Sequence, residues 1–126
     1  MPIQAGLDST TNVFRTTISG TVTVADVTQH LAIVRQVGAY QYPGLIDARG
    51  AHTVTFGTRE LMKIAHHARY LLETTEPAPR AVVVDGLVHF GMARLFASLV
   101  AGWVRVGVFD DAEHAEAWLV DQKKMN

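Results

Sequence analysis

The stretch Ala81-Val82-Val83-Val84 constrains this chain more than any other feature, because Pro77 and Pro79 precede it and Asp85-Gly86 follows. The run is too short for a helix, and its β-branched side chains suit a pleated backbone. Continuous apolar residues of this length fit a strand covered on both faces, as in a parallel sheet. From Gly86 to Val100 the apolar positions Val88, Met92, Leu95, Phe96 and Leu99 recur at helical spacing, with Gly91 and Ala93 read as places of close packing. Strand, turn and helix therefore follow one another, and similar units are read around Asp47 and Asp110.

The remaining chain fills in around this unit. Ile3–Leu7 and Asn12–Ser19 flank the turn-prone Asp8-Ser9-Thr10-Thr11 and are expected to form an antiparallel hairpin that Gly20 ends. Thr23 stands three residues before Asp26 as an N-cap, Val27, Leu31, Val34 and Val37 follow at helical spacing, and Gly38 is a C-terminal stop. Leu45-Ile46-Asp47-Ala48 reads as the next strand, ending at Arg49-Gly50, with 51–57 as a loop or weak edge. Thr58 is expected to cap a helix over Arg59–Glu73 whose inner stripe is Leu61, Ile64, Ala65, Ala68, Leu71 and Leu72. Its outer face carries Lys63, His66, His67 and Tyr70. A strand over Val104–Phe109 precedes a last helix capped by Asp110 with Glu113 three residues on, and Gln122–Asn126 reads as a frayed polar end. Strands alternating with helices predict an α/β fold in a single domain spanning 1–126, a mixed five-stranded sheet with about four helices. Leu61, Ile64, Leu71, Met92, Phe96 and Leu119 are the expected core.

Composition excludes several classes. A net charge of −1 removes general attraction for nucleic acid or an anionic membrane surface. With no cysteine there is neither thiolate chemistry nor a cysteine zinc site. Arg94 and Arg105 interrupt the best apolar stretch, so no stable membrane insertion is expected. MPIQAGLDST lacks the basic region and apolar run of a signal peptide, and a cytoplasmic protein is the expectation.

The run V-F-R-T-T-I-S-G from Val13 to Gly20 resembles the second strand of STAS domains, and L-I-D-A-R-G from Leu45 to Gly50 is similar to that family's next strand. V-V-V-D-x-x-x-x-F-G-M-A-R-L-F from Val82, followed by V-F-D-D-A-E-H-A-E-A-W-L from Val108, resembles the SpoIIAA-like group more specifically. That group is related to STAS domains and to the lipid-binding SEC14 fold, so the resemblance implies a STAS-like sheet and a binding or regulatory role. STAS proteins that antagonise anti-sigma factors carry Asp-Ser-Ser-Gly at the start of the helix after this strand. Here the place reads Thr55-Phe56-Gly57-Thr58-Arg59-Glu60. Thr58 is the nearest hydroxyl, and neither the phosphorylation site nor the sigma-factor partner is carried over.

Asp47, Asp85 and Asp110 each end a predicted parallel strand, the edge where open α/β sheets place ligands, and together they could hold a magnesium ion. Capping of helices by Asp85 and Asp110, and pairing of Asp47 with Arg49 or Arg94, explains them more simply. His30, His52, His66, His67, His89 and His114 show no metal-binding spacing, Ser19 and Ser98 lie on no nucleophile turn, and no glycine-rich phosphate loop occurs. Neither a metal nor a cofactor is therefore expected, and no catalytic group is assigned.

Phe90-Gly91-Met92-Ala93-Arg94 is the most suggestive stretch, because Phe90 and Arg94 are helical neighbours off the inner stripe and Gly91 leaves space between them. The competing reading is packing by Gly91 and a structural ion pair from Arg94 to Asp47 or Asp85. A binding surface built from Thr55, Phe56, Thr58, Phe90, Gly91 and Arg94 is the expectation, at the C-terminal edge of the sheet. A non-enzymatic module that binds a protein partner or itself is one reading. A carrier or sensor of a small apolar, lipid-like ligand, lined by Phe56, Phe90, Met92, Phe96 and Trp103, is the alternative. A cavity lined by those residues favours the ligand, and a large exposed apolar patch favours the partner.

Overall fold

Each strand of the sheet pairs with the strand that precedes it in sequence. The computed structural model describes residues 2–52 and 56–124. The elements are β1 (Ile3–Asp8), β2 (Val13–Thr21), α1 (Val24–Val37), a 3-10 turn (Ala39–Gln41), β3 (Gly44–His52), α2 (Thr58–Leu72), β4 (Arg80–Val83), α3 (Leu87–Val100), β5 (Val106–Phe109) and α4 (Ala112–Lys124). Five strands in the order β1-β2-β3-β4-β5 form one mixed sheet. β1 and β2 are antiparallel, and β2 through β5 are parallel. The Val82–Val83 segment is thus interior, as its unbroken apolar character requires.

Sequential parallel strands joined by crossovers of one hand place the intervening helices on one face. α1 packs on α2, and α2 on α3, over the face that carries Phe14, Thr16, Ile46 and Val82. α4 covers the other face, where Leu45, Ala81 and Val83 meet Ala115 and Leu119. That side is tightly filled: Ala81, Val83 and Ala115 are 0% exposed. Trp118 closes its rim against Phe109 with ring centroids 5.7 Å apart, and Arg15 Nη2 donates to Glu116 Oε1 at 2.7 Å to tie β2 to α4. On the helix-covered face, Ile46, Val82, Met92 and Phe96 are only half-buried. Across β4, Val83 is therefore fully covered while Val82 on the opposite face is not, although Val100, Ile64 and Ala68 on that face are buried.

Several boundaries depart from expectation for local reasons. Thr23 caps α1 as read, accepting from Asp26 N–H at 3.1 Å while its own N–H donates to Asp26 Oδ2 at 3.0 Å. Gly38 ends that helix at φ 74°, a left-handed conformation that favours glycine. Gly57 rather than Thr58 is the N-cap of α2, and its N–H donates to Glu60 Oε1 at 2.8 Å. Asp111 rather than Asp110 caps α4, accepting from His114 N–H at 2.8 Å. Gly20 does not end β2, because the strand pairs on to Thr21, and β3 runs to His52. Between Thr17 and Ser19 the register on β3 jumps from Asp47 to Gly50, so β3 holds one extra residue as a bulge. β5 starts at Val106, because Val104 N–H is used by Val100 carbonyl in the turn after α3.

The expected core holds for Leu61, Ile64 and Leu119, whereas Leu71, Met92 and Phe96 are half-buried. Val88 is a correction: with Leu87 it stands out from the first turn of α3, at 76% and 91% exposure. Gln122 is another, since it is buried and accepts from Arg105 Nη1 rather than fraying.

Candidate functional site

Between the sheet and helices α1, α2 and α3 lie two adjoining cavities of about 190 and 110 Å³, both open to the surface. Ile46, Val82 and Phe96 belong to the walls of both. The larger lies toward the C-terminal ends of the parallel strands, against Ala48, Ala51, Phe56 and Met92, and among the described residues His89 is its one polar wall residue. The β3 bulge shapes it. Strand alternation would carry the inward positions from Ile46 and Ala48 to Gly50, but the extra residue turns Ala51 inward instead. Small side chains at 48 and 51 leave the space that larger ones would fill. The smaller cavity lies toward the N-terminal ends of the strands, between Phe14, His30, Leu31, Arg80 and Trp103.

Arg80 is the charged group of this region. It opens β4 two residues before Val82, so it faces the same side of the sheet. Gly44, its register partner on β3, leaves room for the arm. The guanidinium donates through Nη1 to the carbonyls of Tyr42 and Pro79 and through Nη2 to that of Ala39, the last at 3.2 Å. None of these acceptors carries a charge, and among the described residues Arg80 makes no ion pair. Burial lowers its pKa to about 10, which still leaves it cationic at neutral pH. His30 beside it titrates below its ordinary value, because burial and then the Arg80 charge both disfavour imidazolium. Thr16, buried, lines the same cavity.

The residues singled out from sequence are distributed over different surfaces. Thr55 lies outside the described residues. Phe56 enters the wall of the larger cavity. Thr58 is exposed on a shallow groove along the outer face of α2, with Met62, His66 and Tyr70. Phe90 looks into a separate hollow shared with Phe109 and Trp118, toward α4. Gly91 is exposed, and a Cβ there would meet open space, so close packing does not account for it. Arg94 is exposed and forms no ion pair among the described residues. Of the aromatics and methionine expected around an apolar ligand, the cavities bring together Phe56, Met92, Phe96 and Trp103, and not Phe90.

The aspartates at the strand ends have different surroundings. Arg49 donates to Asp47 Oδ1 at 3.0 Å and to Oδ2 at 2.8 Å, which holds the carboxyl below its usual range. Asp85 uses its carbonyl to accept from His89 Nδ1 at 3.1 Å, and Gly86, at φ 86°, is the N-cap of α3. No group of three His, Asp or Glu with metal-ligand placement occurs among the described residues. Arg80 and His30 were missed in the sequence as site residues. The available signal was a cation two positions before Val82 in a buried strand.

No protein-family model and no curated protein matches the sequence. A solved structure does: the crystal structure of an uncharacterised DUF3478-family protein with a SpoIIAA-like fold from Shewanella loihica PV-4. It superposes with a TM-score of 0.58 at 18% identity, covering 93% of each chain. A likeness of this extent at so low an identity establishes architecture, and the sheet order and helix placement described above agree with it: the chain adopts a SpoIIAA-like α/β fold.

Proposed function

We propose that the protein is a non-catalytic binding module that holds a small apolar ligand between its sheet and helices α1, α2 and α3. The observation that carries this reading is the pair of adjoining cavities under those helices, walled by Phe56, Met92, Phe96 and Trp103. Together they reach the lower end of the roughly 300–1,000 Å³ typical of small-molecule sites. The difference in cover across β4 supports it, since Val83 facing α4 is 0% exposed while Val82, in the wall of both cavities, is half-buried. Ligand binding to the folded state raises the melting temperature by mass action. An aliphatic probe such as octanol should therefore raise the melting temperature, and Val82→Phe, which projects into both cavities, should remove the effect in a protein that remains folded. No stabilisation by any aliphatic probe would reject the reading.

A second reading has its own observation. Leu87 and Val88, exposed together at the start of α3, offer an apolar contact for a protein partner or a second copy. Sedimentation of the wild type and of Leu87→Ser/Val88→Ser tests self-association: a concentration-dependent dimer lost in the variant supports it, and a monomer at all concentrations rejects it.

A further inference from the structure

We infer that the ligand of this cavity is an aliphatic chain ending in a carboxylate, with Arg80 as the group that binds the carboxylate. The inference rests on the proposed cavity-binding function and adds the chemical class of the ligand. A lone cation in the wall of an apolar space is costly unless a counter-charge joins it. Arg80 is such a cation, half-buried in that wall: the acceptors it meets are the uncharged carbonyls of Ala39, Tyr42 and Pro79, and no carboxylate of the described residues pairs with it. Those bonds fix the arm in place without neutralising it.

The donor count points the same way. A guanidinium has five N–H groups in a rigid fork. The carbonyls take two on Nη1 and one on Nη2, so Nε–H and one N–H of Nη2 have no acceptor among the described residues. Two donors on one fork suit the two oxygens of a carboxylate. The charge selects among anions. One guanidinium balances one negative charge, and His30, held below its ordinary pKa, adds no second cation at neutral pH. A phosphate monoester, with close to two charges, would leave an excess negative charge in an apolar wall. From Arg80 the walls are mainly hydrocarbon past Val82 and Phe96 to Met92, with His89 as a polar wall residue, which gives the aliphatic chain its path.

The test compares octanoate, octanol and octyl phosphate by calorimetry at pH 7 with wild type and Arg80→Gln. A charge-assisted pair in a half-buried site predicts that wild type binds octanoate about tenfold tighter than octanol. Arg80→Gln should erase that preference while octanol still binds. In the unmodified protein, the Arg80 Nε–H resonance should shift with octanoate and not with octanol, a readout that does not depend on the variant folding. Equal binding of octanoate and octanol by wild type overturns the carboxylate assignment and leaves the apolar-ligand reading standing. A preference that survives Arg80→Gln, or tighter binding of octyl phosphate than of octanoate, also overturns it. If none of the three binds, the cavity-binding function fails and this inference fails with it.

Discussion

The side chain of Arg80 passes over the α-carbon of Gly44, so that a Cβ at position 44 would stand 2.6 Å from Arg80 Cδ and 2.9 Å from Nη1. Three carbonyls hold that arm, so it cannot move aside without losing their hydrogen bonds. Gly44→Ala should therefore destabilise the protein by about 1–3 kcal/mol in urea melts. Adding Arg80→Met should recover part of the loss, because the two positions are in contact and their effects do not add. A loss under about 0.5 kcal/mol would show that Arg80 is free to move.

The two faces of β4 give opposite expectations for the same chemical change. Val82→Ile adds a methylene where two cavities adjoin and should be neutral or stabilise by about 0.5–1 kcal/mol. Val83→Ile adds it where nothing is exposed and should cost about 1–3 kcal/mol by overpacking. Equal effects in parallel urea melts would contradict the difference in cover across β4.

Phe96→Ala should cost about 1–3 kcal/mol, below the ~3–5 kcal/mol of a phenylalanine in a filled core. Its ring is half-buried and already faces open volume on two sides, so fewer contacts are lost. A loss of about 4 kcal/mol or more would place Phe96 in a core denser than described.

His30 makes stability depend on mildly acidic pH. Burial and then the neighbouring Arg80 charge set its folded pKa below its unfolded value, near 6.5. Between those two values the unfolded chain binds more protons, so stability falls as pH drops from about 6.5 toward the folded pKa. His114, raised by its hydrogen bond to Asp111, acts in the opposite direction but is exposed and screened. His30→Gln should flatten the dependence measured by urea melts between pH 7 and 5, taken as roughly bracketing the unfolded value. An unchanged slope would exclude His30 as its source.

Asp111→Ala should lower the melting temperature through loss of the α4 cap, and Asp110→Ala should leave it close to unchanged. The reverse order in thermal melts would return the cap to Asp110.

Much of the architecture was legible because it depends on periodicity and on residues with local effects. Val82 and Val83 announced an interior strand, Thr23 an N-cap with Asp26 in the first turn, and Gly38 a stop. The caps of α2 and α4 were each misplaced by one residue, since Gly57 and Thr58, like Asp110 and Asp111, are adjacent candidates and only backbone direction decides between them. The exposure of Val88 escaped notice because a helix stripe gives which residues share a face, not how far the helix reaches beyond the sheet. The site was the least legible part. The bulge that turns Ala51 inward depends on pairing between β2 and β3, and the importance of Arg80 depends on what the carbonyls of Ala39, Tyr42 and Pro79 leave unbonded.

A sheet whose spatial order repeats its sequence order has a consequence for synthesis. Each strand leaving the ribosome finds its partner already made, and α1, α2 and α3 can settle in turn on one side. The tight side cannot close that way, since Leu45, Ala81 and Val83 wait for Ala115 and Leu119, contributed by the last helix. Until those residues emerge, the nascent chain carries an uncovered apolar sheet, the kind of surface that recruits chaperones or aggregates. A chain stopped before α4 would lack the cover that Ala115 and Leu119 place over Leu45, Ala81 and Val83.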